Sequence, residues 1–276
     1  MGDFVKINGF NYHYVKKGNK GHPIVLVHGL PMSSYLWRKV QDCLGDKYQV
    51  YAIDMLGYGQ SDKPPEASLY TWNAQAERLA RFIDTLGVGK VALAGHDHGG
   101  GVTQIMVCNN PDKVSHYIFM NGCCYDYCLP DVVRAMGTLV NFPDDTLKMF
   151  QPFVIGFFSA LLQFAVAHET SLNIPIMQKH MEPFKSFEGF KSLIHHCAIP
   201  CNEELLRLDL KKIKVPTLVL WALKDRFLPF EAAQRLQKDL GGPVIVDTIA
   251  NAGHFLQEDE PEEVALKIHN FLTMTK

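Results

Sequence analysis

The hydrophobic pattern of the chain changes character twice. Up to about residue 126, short apolar runs alternate with amphipathic stretches. Residues 23–28 (PIVLVH) form an almost continuous apolar run ending at a Gly-containing turn, the mark of a strand buried on both faces. Residues 48–54, 90–95 and 114–121 read the same way. Residues 34–44, 71–86 and 99–110 carry helical spacing; in the second of these Trp72, Ala76, Leu79, Ala80, Ile83 and Leu86 lie along one side. The first residues alternate as strands do. From 127 to 200 no strand pattern appears and helical periodicity takes over, broken at Pro143, Pro152, Pro175, Pro183 and Pro200. Alternation then resumes, with strands at 216–221 and 243–248 and helices at 230–240 and 260–274. The pattern predicts an α/β fold: a doubly wound, mostly parallel sheet built from 1–126 and 201–276, with a helical cap inserted at 127–200. An insertion leaving the carboxyl edge of such a sheet roofs the place where open sheets carry their sites.

Composition narrows the class. The 276 residues are 47% apolar and 20% charged, enough to bury a sizeable core. A net charge of −2 argues against a nucleic-acid partner. The apolar run 153–167 is shorter than the ~20 residues a membrane span needs, so a buried helix or pocket wall is expected and no membrane association. The N-terminus shows no signal-peptide pattern. Seven cysteines at irregular spacing suit a reducing, cytoplasmic setting. Cys123, Cys124 and Cys128, with Cys197 and Cys201 beside His195 and His196, suggest a metal cluster on paper, but no paired C-x-x-C supports one. No metal or other cofactor is expected, and the protein is expected to be a monomer or small homo-oligomer.

Four short segments carry chemistry. Gly95-His96-Asp97-His98-Gly99 stands between a predicted strand and helix, where G-x-S-x-G forms a nucleophile elbow; here the central residue is Asp. A carboxylate at a helix N-terminus is stabilised by the helix dipole and attacks carbon without needing a base. Alone, the pentapeptide is equally a turn with an N-cap Asp. His28-Gly29-Leu30-Pro31 follows a strand and offers backbone N–H groups for an oxyanion, with the Leu30 and His98 amides as the expected donors. Asp225 follows the strand at 216–221 and is placed to fix a histidine tautomer. His254, in Asn251-Ala-Gly-His-Phe255, follows the last strand and is placed to activate water. The order nucleophile, acid, histidine decides for a catalytic set.

These motifs carry a resemblance. Over essentially its full length the chain resembles the α/β-hydrolase superfamily. Gly95-His-Asp-His-Gly99 looks like the aspartate-nucleophile branch, that of haloalkane dehalogenases, haloacetate dehalogenases and epoxide hydrolases. His28-Gly-Leu-Pro-Met-Ser-Ser-Tyr-Leu-Trp-Arg38 is similar to the haloalkane dehalogenase stretch, and Asp54-Met-Leu-Gly-Tyr-Gly-Gln-Ser-Asp-Lys-Pro64 to one shared across the branch. The resemblance implies Asp97 as nucleophile, His254 as base and Asp225 as orienting acid, working through an alkyl-enzyme ester. It implies a leaving-group site at Leu30 and His98 and a substrate pocket including Pro31, Trp37, Tyr127 and Phe255. The chain departs from the branch in three places. His98 replaces the Trp or Arg that follows the nucleophile in dehalogenases, Leu30 replaces a common Asn, and Trp37, Trp72 and Trp221 all lie outside the cap. Epoxide hydrolases protonate the ring oxygen with cap tyrosines, and no Tyr occurs between Cys128 and Pro200. The Phe-rich cap favours a small or medium apolar substrate. Dehalogenase-like hydrolysis is the expected activity. An epoxide hydrolase with an atypical proton donor (Tyr125, Tyr127 or a cap His) and a ligand-binding protein without turnover are the alternatives.

Overall fold

The computed structural model describes residues 2–128, 130–199 and 201–275, with 201 and 202 by backbone only. Its strands are β1 (Asp3–Ile7), β2 (Phe10–Lys17), β3 (Pro23–Val27), β4 (Gln49–Ile53), β5 (Val91–Asp97), β6 (Val114–Gly122), β7 (Thr217–Ala222) and β8 (Val244–Ile249). They form one sheet in the order β1-β2-β4-β3-β5-β6-β7-β8. The β1/β2 and β2/β4 pairs are antiparallel, and the remaining pairs are parallel. From β3 the chain passes first to β4 on one side and then to β5 on the other. The crevice at such a reversal, above the carboxyl ends of β3 and β5, is where open sheets bind ligands. His28-Gly29-Leu30 leaves β3 there, and Asp97 ends β5 there.

The helices α1 (Arg38–Leu44), α2 (Trp72–Leu86), α3 (His98–Asn109), α9 (Glu231–Asp239), α10 (Leu256–Asp259) and α11 (Pro261–Met274) flank the sheet. Every residue of β3 and β5 is buried, which explains their unbroken apolar runs. The period along α2 is honoured by its packing. Trp72, Ala76, Leu79, Ala80 and Ile83 are buried, the Thr71 side chain caps the Ala74 amide, and Gly87 ends the helix at φ 63°.

Between β6 and β7 stand α4 (Asp131–Gly137), α5 (Asp144–Ala165), α6 (Ile174–Met181), α7 (Phe187–Cys197) and α8 (Cys201–Leu206). The helical segment therefore runs on past residue 200. One expectation needs correction. The apolar run at 153–167 belongs to a 22-residue helix, α5, that is long and apolar enough to cross a membrane by length and composition. It is the pocket wall of the two readings rather than the buried helix, since Phe158, Leu161 and Leu162 line a cavity. Leu147, Val154, Phe158 and Leu162 pack inward, while Met149 and Phe153 are 75% and 76% exposed.

A buried carboxylate fastens these helices to the sheet domain. Glu258, on α10, accepts two hydrogen bonds from Arg38, pairs with Lys39 at 3.1 Å, and meets Nε2 of His180 on α6 at 3.1 Å. Burial would keep Glu258 protonated, but His180 and Arg38 hold its carboxyl below the usual range. Removing one partner of a buried charge cluster costs about 3–5 kcal/mol, because the others are left uncompensated. Glu258→Ala is accordingly expected to lower unfolding stability by about 3 kcal/mol and to speed amide exchange in α6 ahead of the sheet. Denaturant melts with hydrogen exchange check this; a loss below about 1 kcal/mol with α6 protection intact would contradict it.

Candidate active site

The sharp turn at Asp97 comes first. This residue has φ 51° and ψ −123°, a conformation that costs a non-glycine residue free energy, and α3 begins at the next position. The strain is accommodated because neighbouring backbone comes very close. A Cβ on Gly29 would stand 2.3 Å from Cβ of Asp97, and one on Gly99 would stand 2.5 Å from the carbonyl oxygens of Val27 and His28. Glycines at these two places let β3, the turn and α3 close on one another. The carboxylate is thereby aimed above the sheet at the positive end of α3.

The Leu30 amide donates to Oδ2 of Asp97 at 3.0 Å. The His28 ring steadies that loop: Nδ1–H donates to the Gly29 carbonyl at 2.9 Å, and Nε2 accepts from the Met55 amide at 3.1 Å. Nε2 of His254 lies 3.8 Å from Oδ2 of Asp97, and Nδ1 donates to Oδ2 of Asp225 at 2.9 Å. Asp225 is held in turn by the Phe227 and Leu228 amides on Oδ1 and by Nδ2 of Asn121 at 2.6 Å. The Oδ1 of Asn121 accepts from the Ala222 amide, so one side chain bridges the ends of β6 and β7. His96 donates from Nε2 to the His254 carbonyl at 2.8 Å, and the His254 amide donates to the Ala165 carbonyl at the end of α5. Asp97, Asp225 and His254, brought from three separate strand ends, meet as the sequence order foresaw.

Electrostatics follow from that packing. Burial opposes a charge on His254, but Asp225 and Asp97 outweigh it and push its pKa up to about 10. Burial likewise opposes ionisation of Asp97, yet the histidines around it, His98 and His254, hold its carboxyl well below the usual carboxylate range. Asp225 is lowered too, against its own burial, by His254 and by the donors around it. Burial drives His96 down to about 3, so it stays a neutral donor. The two carboxylates thus favour the protonated form of the imidazole between them.

Above Asp97 lies a small cavity of about 40 Å³. Its floor is Leu30, Pro31, Asp97, His254 and Phe255, and its roof includes Val133 of α4 and Phe158, Leu161 and Leu162 of α5. Phe227, Leu228, Cys128 and Pro130 close the sides. Leu30, Pro31 and Phe255 line it as expected; Trp37 and Tyr127 do not. Trp37 is wholly buried in the core, at the end of the turn Ser34–Trp37. Tyr127 forms a short antiparallel bridge with Cys124 instead. Among the described residues the His98 ring is not part of this lining; its Nδ1 lies 3.3 Å from the Tyr58 hydroxyl and its ring meets Trp72 in an edge-on arrangement. His195 and His196 remain on α7, with His196 stacked on Tyr58.

Asn121, Cys123 and Cys128 carry more of the site than their sequence context foretold. Cys123 Sγ donates to Oδ1 of Asp97 at 3.4 Å, and Cys128 is a polar side chain of the cavity wall. The positive φ of Asn121 (33°) belongs to the irregular end of β6 and left no periodic trace in the sequence.

The chain is 28% identical over 288 residues to epoxide hydrolase 3 of Xenopus tropicalis, covering 97% of this chain and 76% of that one. It is 27% identical over 262 residues to haloalkane dehalogenase 2 of Mycobacterium tuberculosis, covering 93% and 89%. The haloalkane dehalogenase DbeA from Bradyrhizobium elkani shares the fold with a TM-score of 0.82 at 23% identity, covering 99% of each chain. Residues 22–261 match the alpha/beta hydrolase fold family, and the chain belongs to it.

Proposed function

We propose that the protein hydrolyses small apolar electrophiles by covalent catalysis, with Asp97 as nucleophile and dehalogenase-like chemistry at carbon. One observation carries this reading: a buried, ionised carboxylate on a strained turn faces an apolar cavity, with an imidazole 3.8 Å away that a second carboxylate orients. An oxygen of Asp97 attacks the substrate carbon, and the leaving group departs with the bonding pair, leaving an ester. His254 then takes a proton from water, and the hydroxide adds to Cγ of Asp97. The Leu30 N–H stabilises the resulting oxyanion. Collapse expels the alcohol, which receives the proton from His254, and Asp97 is restored.

The choice of leaving group rests on what lines the cavity. Its polar side chains are Asp97, His254 and Cys128. A halide leaves without a proton, whereas the alkoxide of an opened epoxide needs an acid, and no tyrosine hydroxyl is among the lining groups. Epoxide hydrolysis is kept as a second reading by the 28% identity to epoxide hydrolase 3. Incubation with 1,2-dibromoethane, chloroacetate and styrene oxide, followed by halide and diol assays, separates the two. Bromide release is expected, and diol formation without halide release would favour the second reading.

Asp97→Ala is expected to lower turnover by about 10⁴-fold or more, and activity retained in it excludes the covalent route. In His254→Gln the ester should persist. The Asp97 peptide should then gain the mass of the alkyl group after exposure to 1,2-dibromoethane, and an unmodified peptide would count against the mechanism.

The pH dependence has a definite sign. Asp97 titrates well below neutrality, so alkylation should not vary between pH 5 and 9. Ester formation removes the Asp97 charge, one of the two anions that lift His254 to about 10, so the pKa of His254 falls and the base is released. The hydrolysis step should therefore rise with pH through a value below 10. In Asp225→Asn that limb should move to lower pH and its plateau should drop by about 10⁴-fold, since the imidazole loses its orienting acceptor. Rapid-quench kinetics resolve the two steps. An alkylation step that follows the same pH limb as hydrolysis would contradict the account.

A further inference from the structure

One cluster beside Asp97 makes and breaks no bond in the chemistry above. A ring nitrogen of His98 and the sulfurs of Cys123 and Cys128 lie within 4.8 Å of one another, and all three residues are buried. They come from the start of α3, the segment after β6 and the cavity wall. Nε2 of His98 is buried without a hydrogen-bond partner, while Nδ1 faces Tyr58. A buried imidazole nitrogen left so has an unmet preference for a partner. Asp97 borders this trio, its Oδ1 3.4 Å from Cys123 Sγ.

We propose that His98, Cys123 and Cys128 form a binding site for a soft divalent cation of the Zn²⁺ or Cd²⁺ kind, completed by Asp97. Two sulfurs, one imidazole and one carboxylate are a donor set that such ions take in tetrahedral geometry. With metal–sulfur bonds near 2.3 Å and metal–nitrogen bonds near 2.0 Å, tetrahedral donors stand about 3.5 Å apart. The cluster thus closes on an ion with shifts on the order of 1 Å, within reach of rotation about a thiol χ1. Cys128 lines the cavity, which gives the ion a way in. Both thiols lose their protons to solvent on binding, and the ion balances most of the charge that results. Hard cations such as Mg²⁺ lack the preference for sulfur and are not bound. With a lone pair of Asp97 on the metal, the carboxylate no longer attacks carbon, so the ion is a reversible inhibitor. This last consequence rests on Asp97 being the nucleophile; the binding itself rests only on the donors.

The test is a titration of reduced, chelator-stripped protein with Cd²⁺, followed by the ultraviolet thiolate-to-metal band and by calorimetry, with Mg²⁺ as the control ion. One Cd²⁺ per chain is expected. Affinity should fall by at least about 100-fold in Cys123→Ser and in Cys128→Ser, and should be unchanged in Cys43→Ser, which alters an exposed thiol. Absence of the band in the wild-type protein, or its survival in both active-site serine variants, overturns the site. A stoichiometric complex that still turns over at the full rate overturns the inhibition alone, and an inactive protein that still binds Cd²⁺ speaks only against the proposed reaction.

Discussion

The site depends on one arrangement, a single imidazole buried between two carboxylates. Two buried anions without it would be costly, and a lone buried imidazolium would be costly as well. Together they are tolerable because each remaining oxygen is also satisfied. Asp225 takes two backbone amides on Oδ1 and Asn121 on Oδ2, and Asp97 takes the Cys123 thiol on Oδ1 and the Leu30 amide on Oδ2. The charge on His254 is also tied to the charges on its two partners. While both carboxylates are ionised, His254 holds its proton; once Asp97 is esterified, in the reaction proposed here, that hold weakens. In that proposed reaction the nucleophile governs when its own hydrolytic base becomes available.

The fold supplies this arrangement by topology rather than by any single segment. The reversal of strand order between β3 and β5 puts the Leu30 loop and Asp97 side by side, and β7 and β8 bring Asp225 and His254 from the other flank. The helices after β6 are tied to the same loop that carries the histidine. Asp259 accepts from the Ala167, His168 and Gly253 amides, and the Ala165 carbonyl accepts from the His254 amide. The roof of the cavity and the position of His254 are therefore set by shared hydrogen bonds, with the Glu258 cluster holding α6 from the other side.

Much of this was legible in the sequence because it has local causes. The buried strands announce themselves by unbroken apolar runs, and the turn at Asp97 by the glycines that its close contacts require. The acid and the histidine stand immediately after strands. What escaped has non-local causes. Trp37 lies near the motif in sequence, yet its bulk is absorbed by the core; Tyr127 is held by a bridge to Cys124. The His98 ring turned toward Tyr58 and Trp72, partners that no spacing rule connects to it. Asn121 became important because two strand ends converge on it. The exposure of α5 was hidden for a related reason: its apolar residues run round the whole helix, so periodicity did not tell which face packs.

The central claim is that an oxygen of Asp97, not of water, becomes bonded to the substrate carbon. A single turnover in oxygen-18 water with enzyme in excess, on whichever substrate proves active, tests it most directly. The account predicts that the first alcohol formed is unlabelled, and that the heavy oxygen is found in the Asp97 carboxylate by peptide mass spectrometry. Label in the first product, with an unlabelled Asp97 peptide, would mean that water attacks the substrate itself and would contradict the account.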